Sequence, residues 1–381
     1  MPSTIIRRRA RLASLVPVAA AAAAASDLDI TELVTFPIVE PTSRRSYTIV
    51  RLKTRSGIYG YGECRGTPST EQLQVARQIY GRPASSYEVI AQRLNGAGDL
   101  AAAINMALLD LLGKAVRAPV YQLLGGPTRF KARALAPLAG DTDQELAASM
   151  ERAAAAGFRA FLVPAPAPPE RNQGQAWVLA VRRRMEALRK IGGAEADFVL
   201  DGRGILTPSD AASLASALER FHLMWFDEPC LTANLSAVRK ISEENVTPIG
   251  FGRNVTEASF IQDLLRENAV DVIRPDISKL GIVAIRRMAA LAETYYVAVA
   301  PYHDGGPIAT AAALHLAASL PNFFIQQVPW PASEQDRRLR EALVSSTVER
   351  ATGGFLPLPK GPGFGIAVDE KALEKYSGGV A

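Results

Sequence analysis

Short apolar segments that end in polar residues recur at a nearly constant interval after Gly126. The polar residues at their ends are Asp201, Glu228, Arg253, Asp276, His303 and Gln327, separated by 27, 25, 23, 27 and 24 positions. Stretches with a helical period fill the intervals. A step of about 25 residues accommodates one strand, one helix and two short loops, which is the repeat of a βα barrel. We therefore predict an α/β barrel over residues 129–350.

The apolar segments are typical of parallel strands, which form continuous apolar runs because both of their faces are covered. They include FRAFLVP, ADFVLDGRG, LMWFDEP, TPIGFGRN and VDVIRPDIS. An open doubly wound sheet is the alternative. Such a sheet does not require so regular a step, and it usually carries a glycine-rich phosphate loop after its first strand. No such loop follows the first strand of this chain, so the barrel is favoured.

The region before the barrel has a different pattern. Apolar and polar residues alternate in SYTIVRLKTRSGIYGYGEC on both sides of Ser56-Gly57, which predicts a β-hairpin. From about residue 85 to 124 the period becomes helical, and the helix ends near Pro119 and Gly125-Gly126. Residues 27–128 are therefore predicted to form a separate α+β domain.

The C-terminal strand ends of a βα barrel face one mouth, so polar residues delivered by successive strands should converge there. Asp201 and Glu228 are a suitable pair of ligands for Mg²⁺, which prefers carboxylate oxygens. The alternative is a buried ion pair between Glu228 and Arg253 or Arg203. Asp276 and His303 suggest an acid–base dyad, in which a carboxylate orients an imidazole. The alternative for His303 is a histidine that caps its own loop.

Composition narrows the possible partners. The chain has 381 residues, of which 48% are hydrophobic and 21% charged, and its net charge is +5. Four N-terminal arginines supply most of this excess, namely Arg7, Arg8, Arg9 and Arg11. No basic stripe interleaved with aromatic residues occurs elsewhere, so we expect no nucleic-acid partner. The two cysteines, Cys64 and Cys230, form no metal motif.

Residues 1–26 have the pattern of an export signal. A basic start and a modest apolar run precede small residues, with a cleavage position near Ala25-Ser26. The paired arginines resemble a twin-arginine (Tat) signal, which predicts a periplasmic location. Without export the protein would be cytoplasmic, and the segment would be an Ala-rich tail. The apolar run is too short and too rich in alanine for a stable membrane anchor.

Several longer motifs resemble the enolase superfamily, in its mandelate racemase and muconate-lactonising group, and most of all its galactonate dehydratase-like acid-sugar dehydratases. They are ALLDLLGKAVRAPVYQLLGG, VLDGRG, WFDEP, DVIRPDISKLG, APYHDGGPIATAAALH and GGFLPLPKGPGFGIAVDEKALEKY. The resemblance implies a modified (β/α)₇β barrel under an α+β capping domain, with residues 351–381 returning to that domain. It also implies Mg²⁺, a small anionic substrate (a hydroxy acid or acid sugar) and a homo-oligomer. Such enzymes remove the proton α to a carboxylate, and in the dehydratases a hydroxyl then leaves.

The resemblance assigns the metal ligands incompletely. Asp201 and Glu228 match the first two acids, whereas the third position is occupied by Arg253. A guanidinium there opposes a cation, so either the metal is lost or Arg253 turns outward and another acid replaces it. Glu257 is a candidate for that replacement. Without a metal, Arg203 and Arg253 could hold a carboxylate by bidentate hydrogen bonds.

The acid–base positions also depart from the family pattern. Asp276 matches the aspartate of the family's His–Asp dyad, but ungapped alignment places Tyr302 at the histidine, with His303 one residue later. Gln327 stands where a glutamate usually binds the substrate carboxylate, and Arg203 stands where dehydratases often have a second histidine.

Three hypotheses follow. In the first, the protein is a Mg²⁺-dependent lyase or racemase-type enzyme. Asp201 and Glu228 then bind the metal, His303, Asp276 and Tyr302 carry the acid–base chemistry, and Gln327 lines the pocket. In the second, the protein is a metal-free member that binds an acidic molecule through Arg203 and Arg253 without catalysis. In the third, the protein catalyses a different, metal-free reaction that uses Tyr302 or His303.

Overall fold

The computed structural model describes residues 27–168, 174–231, 235–243, 245–255, 258–344 and 348–378. The predicted export segment and the candidate ligand Glu257 lie outside these ranges. No helix in the described ranges is long and apolar enough to span a membrane.

The N-terminal domain is a three-stranded antiparallel sheet covered by helices. Its strands are β1 (Ile30–Val39), β2 (Ser46–Thr54) and β3 (Tyr59–Arg65), paired in the order β1-β2-β3. The predicted hairpin at Ser56-Gly57 joins β2 and β3, and Gly57 has the φ of 82° that such a turn requires. The helices are α1 (Thr70–Ala76), α2 (Tyr87–Arg93), α3 (Asp99–Ala115) and α4 (Val120–Leu123).

The long helix α3 lies against the sheet at very close range. A Cβ atom on Gly62 of β3 would come within 1.9 Å of the carbonyl oxygen of Ala103 in α3. The glycines of this strand therefore permit a backbone-to-backbone approach that no other residue allows.

The second domain is the predicted barrel. In the described ranges, eight parallel strands follow one another: β4 (Lys131–Pro137), β5 (Ala160–Pro164), β6 (Asp197–Asp201), β7 (Phe226–Asp227), β8 (Ile249–Phe251), β9 (Val272–Ile273), β10 (Ala298–Val299) and β11 (Gln326–Gln327). Consecutive strands pair with each other from β4 through to β10, and β11 pairs with the other side of β4. Phe323, just before β11, bridges to Val299 of β10, so the segment from 323 to 327 closes the barrel.

Within the part of the chain that the structure describes, seven helices connect these strands and cover the outside of the barrel. They are α5 (Asp143–Ala155), α6 (Gln175–Gly192), α7 (Pro208–Leu218), α8 (Leu235–Glu243), α9 (Ala258–Arg266), α10 (Ile277–Glu293) and α11 (Pro307–Ser319). A separate cluster of buried side chains fills the barrel interior, among them Leu135, Leu162, Val199, Trp225 and Ile325. The barrel interior is thus a packed core, and the polar residues that end its strands converge at its C-terminal end.

The C-terminal segment crosses from the barrel to the N-terminal domain. It contains α12 (Glu334–Leu343), β12 (Phe355–Pro357), which pairs antiparallel with β4, and α13 (Glu370–Tyr376). The backbone N–H of Phe364 donates to Asp110 Oδ1 of α3 at 2.7 Å, and Arg51 of β2 donates to Glu370 Oε2 at 2.8 Å. These contacts attach residues 363–376 to the N-terminal sheet.

Candidate active site

The strand ends bring five of the predicted site residues to one mouth. Asp201 ends β6, Glu228 follows β7 and Arg253 follows β8. Asp276 follows β9, and it is bridged in parallel to Tyr302, which follows β10. We call this group, together with Asp227 of β7, the barrel mouth.

The guanidinium of Arg253 lies at the centre of the acids of the mouth. It donates to both carboxylate oxygens of Asp201, at 3.1 Å from Nη1 to Oδ2 and 2.5 Å from Nη2 to Oδ1. Its Nε lies 3.3 Å from Asp227 Oδ2 and 3.9 Å from Glu228 Oε1. Burial opposes the charged form, but the three carboxylates outweigh it and raise the pKa of Arg253 above its ordinary value.

Glu228 is held in a strained backbone conformation. Its φ is 43°, in the left-handed region that few residues other than glycine adopt. Its Oε1 accepts hydrogen bonds from the backbone N–H groups of Gly252, at 2.8 Å, and Arg253, at 2.7 Å. Burial, reinforced by the charge of Asp227, raises the pKa of Glu228 to about 7. The loop after β8 is therefore fixed to the end of β7 by a carboxyl that titrates near neutrality.

A second ionic layer, centred on Arg274, lies inside the barrel next to the ionic contacts of Arg253. Arg274, fully buried, donates from Nε to Asp227 Oδ1 at 2.9 Å, and Trp225 Nε1 donates to the same oxygen at 2.8 Å. Arg274 also donates from Nη2 to Gln327 Oε1. Gln327 was predicted to contact the substrate, but its side-chain oxygen accepts a hydrogen bond from Arg274 within this layer. Asp227 and Arg274 were not predicted as site residues, although WFDEP and VIRPD carry both at strand ends.

Asp276 and Tyr302 lie side by side at the mouth. Asp276 Oδ1 accepts from the N–H of Ser278 at 2.9 Å and caps α10, while Oδ2 has no hydrogen-bond partner in the described ranges. Nη1 of Arg65, from β3, lies 3.6 Å from Oδ2. Burial raises the pKa of Asp276 to about 7. The capping domain thus contributes a cation to the mouth, which the sequence analysis did not foresee.

Tyr302 faces Arg253, whose Cζ lies 5.4 Å from the centre of the phenol ring. Burial, with Asp304 and Asp276 adding to it, raises the pKa of Tyr302 to about 12. The phenol therefore keeps its proton at neutral pH.

His303 turns away from the mouth. It is fully buried, its Nδ1 accepts from the N–H of Gly305 at 3.3 Å, and its Nε2 lies 3.2 Å from the hydroxyl of Thr310. The expected hydrogen bond between Asp276 and His303 is not formed, so the dyad prediction requires correction. Burial, with Arg340 adding to it, lowers the pKa of His303 well below its ordinary range. The alternative of a loop-capping histidine agrees with this geometry.

The loop that carries His303 belongs to a polar cluster between the two domains. Arg340 of α12 is buried and donates to Glu40 at 2.6 Å, to Glu349 at 2.7 Å and to the carbonyl of Gly305. Glu63 of β3 accepts from the backbone N–H of Gly306. We call Glu40, Glu63, His303, Thr310, Arg340 and Glu349 the interdomain cluster.

Arg203 lies at the rim of the mouth. Its backbone N–H donates to Asp201 Oδ1 at 2.8 Å, its Nη2 donates to the carbonyl of Ala165 at 2.7 Å, and the residue is exposed. Its φ of 56° is again left-handed. Arg203 is therefore placed beside Asp201 but has its guanidinium tied to the neighbouring loop.

The residues of the mouth do not fit Mg²⁺. The guanidinium of Arg253, not an open centre, occupies the position toward which Asp201, Asp227 and Glu228 converge. In the ranges that the structure describes, no three His, Cys, Asp or Glu side chains are arranged to hold a metal ion. A divalent ion about 4 Å from the guanidinium would be opposed by about 8 kcal/mol at an effective dielectric constant of ~20.

Comparison with known families agrees with this architecture. Residues 145–372 match the model of the enolase C-terminal domain-like family, and residues 34–125 match that of the mandelate racemase/muconate lactonizing enzyme N-terminal domain. The chain belongs to the mandelate racemase/muconate lactonizing enzyme family of the enolase superfamily. The fold class and the family predicted from the sequence are thereby confirmed.

Relatives of this family member carry dehydratase names. The D-xylonate dehydratase of Haloferax volcanii is 27% identical, covering 87% of this chain and 85% of the relative. The D-galactonate dehydratase of Pectobacterium atrosepticum is 28% identical, covering 87% and 91%. The mandelate racemase/muconate lactonizing enzyme-like protein of Rubrobacter xylanophilus has a similar solved structure, with a TM-score of 0.82 at 26% identity over 92% of this chain and 98% of that chain.

Proposed function

We propose that this family member is a carbon–oxygen lyase that removes water from a small hydroxy-carboxylate of the acid-sugar class. The dehydratase names of its relatives support the reaction type. The observation that carries the proposal is the juxtaposition, at three successive strand ends, of a guanidinium, a carboxyl that titrates near pH 7 and a protonated phenol. These are a charge stabiliser, a proton acceptor and a proton donor.

Cations at the mouth account for the binding of an anion. Arg65 has a side chain that is 38% exposed and lies over Asp276, while Arg203 lies at the opposite rim beside Asp201. Guanidinium groups match the two oxygens of a carboxylate and hold it in a fixed orientation. Because Asp276 is fully covered, the substrate must draw Arg65 away from Asp276 before the acid can act.

Dehydration then uses three residues. Asp276 accepts the proton α to the substrate carboxylate, and the charge that develops on the carboxylate is stabilised by Arg253. The C–O bond to the β-hydroxyl breaks, and Tyr302 supplies the proton with which that oxygen leaves as water. The enol that remains takes up a proton from solvent at its β-carbon, loses the proton of its enol hydroxyl to solvent and becomes a 2-oxo acid. Proton exchange with solvent returns Asp276 and Tyr302 to their starting states.

The reaction can be tested with a panel of five- and six-carbon acid sugars, both with Mg²⁺ and with a chelator. Formation of a 2-oxo acid is measured as its semicarbazone. We expect turnover by the wild type and a fall of about 100-fold or more in Tyr302→Phe, since that variant lacks the proton donor. The control is Tyr296→Phe, because Tyr296 is 98% exposed and distant from the mouth in the fold.

The same panel of acid sugars distinguishes a lyase from a protein that binds acid sugars without catalysis. Binding of acid sugars, measured by calorimetry, without any 2-oxo acid would favour a binding protein and would contradict the lyase proposal. Equal turnover by Tyr302→Phe and the wild type would leave the reaction standing but would remove Tyr302 from it.

Two further expectations belong to this proposal. We expect cleavage of the first 26 residues on export, which N-terminal sequencing of the periplasmic protein would detect. We also expect a homo-oligomer, which light scattering after size-exclusion chromatography would measure.

A further inference from the structure

We infer that Arg253 supplies the fixed positive charge of this active site, so that the protein binds its substrate and acts on it without a divalent metal ion. This inference rests on the lyase proposed above and concerns only the source of the charge.

The contacts of Arg253 leave donors available for a ligand. A guanidinium has five N–H groups, and here Nε faces Asp227 while Nη1 and Nη2 each donate once to Asp201. One N–H on each terminal nitrogen has no acceptor in the described ranges. Two such N–H groups can bind a carboxylate oxygen, as a metal ion would from the same position.

Arg253 is also restrained from leaving this position. Its backbone N–H is bonded to Glu228 Oε1, its side chain is only 14% exposed, and the Tyr302 ring lies 5.4 Å from its Cζ. An outward turn would leave Asp201 and Asp227 buried without this counter-charge, which is strongly unfavourable. The interpretation in which Arg253 swings out and a metal ion enters is therefore disfavoured.

The charges of the mouth favour an anion over a cation. Each of the four carboxyl groups of the mouth lies within 4 Å of a guanidinium nitrogen. Asp201, Asp227 and Glu228 contact Arg253, Asp227 also contacts Arg274, and Asp276 contacts Arg65. A divalent ion would therefore have to displace a guanidinium from each acid that it binds. A carboxylate can instead bind to the guanidinium groups of the mouth directly.

The direct experiment is a titration of the full wild-type chain with Mn²⁺, followed by calorimetry and by electron paramagnetic resonance of the free ion. We expect no stoichiometric binding at millimolar Mn²⁺. Binding by the wild type that is lost in Asp201→Asn would overturn the inference. This outcome does not depend on turnover, so it distinguishes a wrong charge source from a wrong reaction.

Turnover provides the second test. After treatment with a chelator, the wild type should convert its acid-sugar substrate at an unchanged rate, and a rate restored only by Mg²⁺ would overturn the inference. Arg253→Gln should lose about 100-fold or more in kcat, with no recovery on addition of Mg²⁺. The matched control is Arg239→Gln, which removes an exposed arginine that pairs with two glutamates of the outer helices, and it should retain wild-type kcat.

Discussion

The substitution Glu63→Gln tests the electrostatics of the interdomain cluster. Glu63 is fully buried, and its side chain accepts from the backbone N–H groups of Gly306 and Ala309. Burial raises the pKa of Glu63 from its ordinary 4.5 to about 7, although the two N–H groups and Arg340 oppose this. Because the folded-state pKa lies above the unfolded one, the ionised carboxyl destabilises the fold. Stability is therefore lost as the pH rises from about 4.5 through about 7.

The magnitude follows from that interval. Complete ionisation of Glu63 lowers the free energy of unfolding by about 3.4 kcal/mol, which corresponds to the interval between pKa values of 4.5 and about 7. About 0.8 kcal/mol of this loss has already occurred at pH 5. Glutamine does not titrate. The free energy of unfolding of Glu63→Gln, relative to that of the wild type, should therefore rise by about 2.5 kcal/mol between pH 5 and pH 8.5.

Urea unfolding of both proteins across this pH range measures the difference and cancels the titration of all other groups. Glu71→Gln provides a control of opposite sign. Glu71 is exposed, and the hydroxyl of Ser69 lowers its pKa, so this variant should gain no stability over the wild type as the pH rises. A difference for Glu63→Gln that stays constant with pH would refute the reasoning.

Two further substitutions test the packing of the domains. Arg340→Met leaves Glu349 buried without its guanidinium partner and removes one guanidinium partner of Glu40, which keeps Arg45 at 3.0 Å. The variant should lower the free energy of unfolding by about 3–5 kcal/mol; a loss below about 1 kcal/mol in urea unfolding would contradict the assigned ion pairs. Gly62→Ala places a methyl group against the backbone of Ala103 and should cost about 3 kcal/mol or more. Its control, Gly174→Ala, adds a methyl group with no atom within 4 Å and should change stability by less than about 1 kcal/mol.

The barrel was predictable because its physical cause is periodic. Strands covered on both faces form apolar runs, and each run ends where the chain reaches the mouth. The interval of about 25 residues therefore located Asp201, Glu228 and Arg253 at neighbouring strand ends. The lengths of the strands were less predictable. β7 contains only Phe226 and Asp227, although Met224 and Glu228 on either side of it also donate backbone hydrogen bonds to Phe198 of β6 and Gly250 of β8.

Side-chain direction was the part that the sequence analysis could not resolve. Neighbouring residues in extended chain point to opposite sides, so an offset of one residue separates Tyr302, at the mouth, from His303, in the interdomain cluster. At the end of β7 the left-handed φ of Glu228 breaks this alternation, and both Asp227 and Glu228 turn toward Arg253. No periodic pattern encodes such a local backbone change.

Contributions from the other domain were also beyond the sequence. Arg65 reaches Asp276 across 211 positions of the chain, counted from the residue numbers, and nothing near Arg65 in the sequence marks it as a site residue. A single sequence indicates which residues occupy strand ends, whereas the contact between domains depends on how α3 and α10 pack.

The most direct test of the central claim is a crystal structure of the protein grown with Mn²⁺ and a bound acid sugar, with anomalous diffraction recorded for manganese. The account predicts a carboxylate of the ligand against Arg253 and Arg65, with no manganese peak between Asp201 and Glu228. A manganese peak between those two acids, with the guanidinium of Arg253 displaced from them, would contradict it.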